Sequence, residues 1–225
     1  VQALEDGQAA AWVVRRLRTP DGATAGSAGS AGTVDSVVPA GFAGYARLLH
    51  PVTTEESWTT WAEAATLLGQ RVHALTGWSE LAGAGIGDPP VGTLPPEQLA
   101  ALCDVLAGHT RTPAECTFAL PEQWPGAAGR PPHAGTVRLA GGDLLLVAGP
   151  LDAAVPLAFS DEPGRWWARS PAAFWPQDRA WCVVTAPDRR CTLVGASVAA
   201  VEDLLAAAEL EAWPVRGSDR LPTPG

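Results

Sequence analysis

The chain of 225 residues contains no lysine, asparagine or methionine, one isoleucine (Ile86) and one tyrosine (Tyr45). The missing residues are written in AT-rich codons, whereas the abundant Ala, Gly, Pro and Arg use GC-rich ones, which points to a high-GC bacterial genome. Because Arg has replaced Lys throughout, an arginine here is weaker evidence of anion binding than usual. Positive charge is scarce as well. Fifteen basic against 24 acidic residues leave a net charge of −9, which works against attraction to nucleic acid or to an anionic membrane. No window holds about 18 consecutive apolar residues, and Val1 to Asp6 lack the basic start and apolar run of a secretion signal. The expectation is a soluble, cytoplasmic protein with neither a nucleic-acid nor a membrane partner.

Cysteine and histidine are too sparse and too scattered to announce a metal centre. Cys103, Cys116, Cys182 and Cys191 form no C-x-x-C pair, so the reading is four buried free thiols. His50, His73, His109 and His133 form no short-spaced ligand pair. Gly-x-Ser-x-Gly is absent, and Gly83-Ala84-Gly85-Ile86-Gly87 lacks the strand-to-helix context of a phosphate loop. No metal and no cofactor is expected. The acidic pairs Glu55-Glu56, Asp161-Glu162, Glu202-Asp203 and Glu209 with Glu211 read as solvated or as helix-start residues.

What is present supports a sizeable core, since 47% of the residues are hydrophobic. The pattern predicts a short helix over Ala9 to Leu17, then a Gly/Ala/Ser run from Pro20 to Gly32 with nothing bulky to bury, expected to be a mobile loop. Val34 to Val38 and Gly41 to Val52 read as strands. Thr53 with Glu56 forms a capping-box pattern that predicts a helix to about Leu68, with Trp58, Trp61, Ala65 and Leu68 on its apolar face. A helix from Pro95-Pro96 to Gly108 carries Leu99, Leu102, Cys103 and Leu106 at helical spacing. Cys116 to Leu120, Thr136 to Leu139 and Leu144 to Ala148 read as strands, the last apolar on both faces and hence central. Ala180 to Ala186 and Arg190 to Gly195 form a strand pair around a turn at Pro187-Asp188-Arg189. Ser197 caps a last helix running to about Leu210, with Val198, Val201, Leu204, Leu205 and Ala208 as its stripe. These elements give an α+β fold, a mostly antiparallel sheet with helices packed on one face. Residues 1–33 form an N-terminal helix and loop, and residues 34–225 a single α+β domain.

One stretch stands out as a site. From Arg165 to Trp181 the chain places four tryptophans and three arginines between two strand-like segments. Trp offers a flat apolar face and Arg a fork for carboxylates, a combination that suits a small ligand or a protein hot spot. The ligand- or partner-binding candidates are Trp166, Trp167, Arg169, Trp175, Asp178 and Arg179. The competing reading is structural, with the indoles pinning a long connection to the sheet and Asp178 pairing Arg179 or Arg169. In an extended chain Trp166 and Trp167 face opposite ways, one inward and one outward. His50, at a strand end before Pro51, is the candidate general base.

Ser170-Pro171-Ala172-Ala173-Phe174-Trp175-Pro176-Gln177-Asp178-Arg179-Ala180-Trp181-Cys182-Val183-Val184-Thr185, continuing to Val194-Gly195-Ala196-Ser197, resembles an uncharacterised protein family of high-GC Gram-positive bacteria. Val38-Pro39-Ala40-Gly41-Phe42 and Tyr45 to Pro51 are similar to its N-terminal signature. The chain departs from that pattern at Ala186-Pro187-Asp188-Arg189-Arg190, where a more acidic connection is usual. The resemblance implies a shared fold and no catalytic residue. The resulting expectation is a non-enzymatic binding or interaction domain that uses the Trp/Arg surface to hold a protein partner or small ligand. The alternative is an enzyme for a small polar metabolite, with His50 or Asp178 as acid-base groups.

Overall fold

A computed structural model describes residues 1–18, 32–53, 58–81, 86–122, 135–139, 142–162 and 165–223, with backbone alone at 160–162 and 165–168. In chain order the first half contains β1 (Gln2–Ala3), α1 (Ala11–Arg16), β2 (Gly44–Leu49), β3 (Val52–Thr53), β4 (Trp58–Thr59), α2 (Trp61–Leu67), α3 (Trp78–Leu81) and α4 (Pro96–Ala107). The second half contains β5 (Cys116–Pro121), β6 (Thr136–Leu139), β7 (Gly142–Gly149), α5 (Ala154–Ala158), β8 (Phe159–Glu162), β9 (Arg165–Ala168), β10 (Ala173–Pro176), β11 (Cys182–Val184), β12 (Cys191–Ala196), α6 (Val198–Ala206) and β13 (Ala212–Val215).

Among the described residues nine strands join in one antiparallel sheet of order β1-β7-β5-β10-β11-β12-β2-β13, with β6 also paired to β7. The alternation of side chains along each strand divides the core into two layers. Phe118, Leu145, Val147, Phe174, Val183 and Val194 face the layer formed with α4, α5 and α6. Ala119, Leu144, Leu146, Trp175, Val184 and Leu193 face the opposite layer, closed by Trp12 and Val13 of α1 together with Val34, Val38 and Leu221. The fold is therefore α+β, with the longest helices on one face of an antiparallel sheet. Leu144 to Val147 are buried on both faces and β7 pairs on both edges, as a central strand should. Residues 1–18 belong to this same core through β1, Trp12 and Val13.

Trp181 fastens the helical layer to the sheet. Its indole is fully buried, packs edge-on to Phe174, and donates to the Leu106 carbonyl at 3.0 Å in the last turn of α4. At one end of the sheet Pro214 sits in the edge strand β13, where a residue without an N–H costs no ladder bond.

Four sequence expectations are corrected, the first at Val34 to Val38, where Val34–Ser36 form a short 3-10 turn in place of a strand. The capping box is Thr60 with Glu63, not Thr53 with Glu56: Thr60 Oγ1 accepts from Glu63 N at 3.1 Å and Glu63 Oε2 from Thr60 N at 3.0 Å. The same Thr-x-x-Glu spacing occurs twice, and the first copy loses because Val52 and Thr53 pair with Thr59 and Trp58 in a β-hairpin. Trp58 consequently lies outside the helix and is 51% exposed, while Trp61 is buried edge-on against Trp78. The last helix ends at Ala206, not near Leu210, because Ala207 turns extended and sends Leu210 into the core. Its buried residues are Ala200, Val201 and Leu204, whereas Val198 and Leu205 are 53% and 37% exposed. Residues 20–31, Glu55, Glu56, the glycines at 83 and 85, and His133 lie outside the described residues.

All four cysteines are buried free thiols. Burial pushes Cys103 and Cys116 up to about 12, and Cys182 higher still. Among the described residues no group of His, Cys, Asp and Glu could hold a metal ion, and no helix is long and apolar enough to cross a membrane.

Candidate functional site

The end of β2, the β3–β4 hairpin, the first turns of α2 and α4, and the approach to β13 meet around a cleft of about 120 Å³. Leu49 and Pro51 supply an apolar wall, and Trp58 stands at the mouth. Glu63, Glu209 and Glu211 line the remainder with Gln98 and Thr59. A half-exposed indole beside three carboxylates is a cation-accepting surface: the ring face attracts positive charge, and the carboxylates accept its N–H groups.

Two of the carboxylates are held rigidly. Glu211 reaches α2 from the far end of the chain, its Oε2 accepting from Trp61 N and its Oε1 from Ala62 N at 2.9 Å. With Thr60 holding Glu63 N, the first three N–H groups of α2 all have acceptors. Burial pushes the Glu211 carboxyl above its ordinary value, opposed by those two N–H donors. Glu63 moves the other way, lowered by the Thr59 hydroxyl at 2.6 Å and then by the backbone and hydroxyl of Thr60. Glu209 is exposed. Neither Glu209 nor Glu211 reads as a site residue in the sequence, because nothing local to them signals a contact with α2. Trp58 is concealed by its false helical register with Trp61.

The candidates in the Trp/Arg segment separate. Trp175 lies in the interior, not at the surface, packed edge-on to Trp12 on the face of β10 that alternation turns inward. Trp166 and Trp167 lie in β9, paired with Asp161 and Ser160 of β8, and their side chains lie outside the described residues. Arg169 and Arg179 are exposed. Asp178 pairs with neither arginine. Its carboxylate ties two loops, accepting from Thr110 Oγ1 and Arg111 N at 2.8 Å each and from Ala180 N at 3.1 Å. Partial burial raises the Asp178 carboxyl, but those donors outweigh it and hold the group below its ordinary value.

His50 is fully buried, with both ring nitrogens engaged. Only Nδ1 can donate to the Pro90 carbonyl at 2.7 Å, so Nε2 accepts from Thr192 Oγ1 at 3.0 Å, and Thr185 Oγ1 stands 2.9 Å from Thr192 Oγ1. Burial drives its pKa down to about 4, against the pull of the Pro90 carbonyl and with the help of the Arg47 guanidinium. That neutral imidazole is enclosed, with both nitrogens engaged by Pro90 and Thr192, so the geometry does not present it to a ligand as a general base.

Comparison with family models, with curated proteins and with solved structures returned no match to the chain.

Proposed function

We propose that the protein is a non-enzymatic binding domain that holds a cationic side chain, arginine or lysine, presented by a protein partner. The observation that carries this reading is the half-exposed Trp58 face beside Glu63, Glu209 and Glu211 in one cleft. The cleft volume of about 120 Å³ supports a side-chain head group over a whole metabolite, since pockets for small ligands run to several hundred Å³. An arginine or lysine there gains a ring face and carboxylates at once. The reading retains the expected interaction domain but moves its centre from the Trp/Arg segment to the acidic cleft.

The opposed shifts of Glu63 and Glu211 favour one alternative, an acid-base pair acting on a polar substrate. Against it, both Glu211 oxygens accept helix N–H groups, and Glu63 Oε2 is engaged by Thr59 and Thr60. Calorimetric titration with an arginine-rich peptide, a lysine-rich peptide and an acidic control tests the proposal. Binding of the basic peptides, weakened at least about tenfold by Trp58→Ala and by Glu209→Gln, is expected. No binding, or binding indifferent to both substitutions, would refute it.

A further inference from the structure

Arg16 ends α1, and Arg179 occupies the turn between β10 and β11. Their guanidinium carbons stand 5.9 Å and 5.5 Å from the centre of the same ring, that of the buried Trp12. Both arginines are exposed, and among the described residues neither has a carboxylate at ion-pair distance. Two of the described acidic groups are committed elsewhere. Asp35 pairs with Arg18 at 3.2 Å, and Asp178 is held by Thr110, Arg111 and Ala180.

The backbone supplies an independent sign. Arg179 has a φ of 57°, the one non-glycine residue among those described in the left-handed region. That conformation costs a side chain with a Cβ roughly 1 kcal/mol or more, whereas glycine adopts it freely. The strained turn delivers a second guanidinium to an indole that Arg16 already covers. In a chain of net charge −9, two like charges are thus gathered on one ring with no ion-paired carboxylate among the described residues. Backbone strain kept at a point of unneutralised charge is the pattern of a ligand site.

We infer that Arg16 and Arg179, supported by Trp12, bind the phosphate monoester of a soluble small molecule. Guanidinium forks match phosphate oxygens, and a dianion matches two cations. The overall negative charge disfavours polyanionic surfaces such as a membrane or nucleic acid and leaves a small ligand as the fitting source of the phosphate. This site is separate from the Trp58 cleft and stands or falls independently of it.

The test is a titration of arginine-labelled protein, read at the Nε–H resonances of Arg16 and Arg179, with inorganic phosphate, glycerol phosphate, and sodium chloride at matched ionic strength. Saturable shifts of both resonances with the two phosphates and none with chloride are expected. Arg179→Gly relieves the left-handed backbone, so it should keep or raise Tm while weakening phosphate binding about tenfold or more; Arg16→Ala should weaken binding similarly. A phosphate response no greater than that of chloride, or unchanged affinity in both variants, would overturn the site. Co-sedimentation with vesicles containing phosphatidic acid, without binding of glycerol phosphate, would overturn the assignment to a soluble ligand.

Discussion

Replacing Glu211 by alanine removes one side chain and two helix-capping hydrogen bonds made to residues 150 and 149 positions away in sequence. Trp61 N and Ala62 N then lose their acceptors at the start of a seven-residue helix. Loss of an ordinary cap costs roughly 0.5–2 kcal/mol, and hydrogen bonds to a charged acceptor are about twice as strong as neutral ones. The carboxylate is half-buried, and its desolvation works against it, so the upper end of the capping range, about 2 kcal/mol, is the expected loss. For a domain of this size that corresponds to a Tm fall of roughly 4–8 °C, measured by thermal unfolding followed by circular dichroism. Glu211→Gln keeps the shape but presents an N–H to one of the two donors, so its loss at neutral pH should be intermediate. The pH dependence has a defined sign. The native carboxyl titrates above its unfolded value, so wild type gains stability relative to Glu211→Gln as pH falls through the native pKa towards the ordinary glutamate range. A loss under about 0.5 kcal/mol for Glu211→Ala, or a pH dependence of the opposite sign, would refute the capping argument.

For His50 the sign is reversed. Its native pKa of about 4 lies below the ordinary 6.5, so stability present above pH 6.5 should be lost by about 1.4 kcal/mol per pH unit as pH falls towards 4, some 3 kcal/mol in all, and urea unfolding across that window measures it. A flat profile would mean the imidazole is protonated in the fold. Trp181→Ala should cost about 3–5 kcal/mol in chemical denaturation, since a fully buried indole and its bond to Leu106 are both removed. The four cysteines should react with a thiol reagent only slowly in the native protein and all together on unfolding, because burial removes access to all four and raises the thiols of Cys103, Cys116 and Cys182. Rapid native labelling would show the core opening around α4.

Helical and strand periodicity made most of the architecture legible. The Leu99, Leu102, Cys103 and Leu106 stripe, the run from Leu144 to Val147, and the turn at Pro187 to Arg189 each carry a local pattern that matches their burial. The failures occur where a distant partner decides. Thr53 with Glu56 and Thr60 with Glu63 are equivalent in sequence, and pairing of Val52 with Thr59 selects between them. Trp175 reads as a surface aromatic until the partner strands on either side of β10 fix which face is inward. The acidic cleft was hidden for the same reason: Glu63 and Glu211 come together only through a contact between α2 and the run into β13.

Among the described residues strand β2 pairs with β12 and β13, both of which lie far downstream of it in sequence. As the polypeptide leaves the ribosome, β2 emerges with both hydrogen-bonding edges open and must wait for about 140 further residues, from Leu49 to Cys191, before either is satisfied. Long-range pairing of this kind slows folding, and an open apolar strand is a template for association with other nascent chains. Chains stalled or truncated before Cys191 should therefore depend on chaperones for solubility, and the interval between synthesis of β2 and of β12 is the period of greatest exposure during biogenesis.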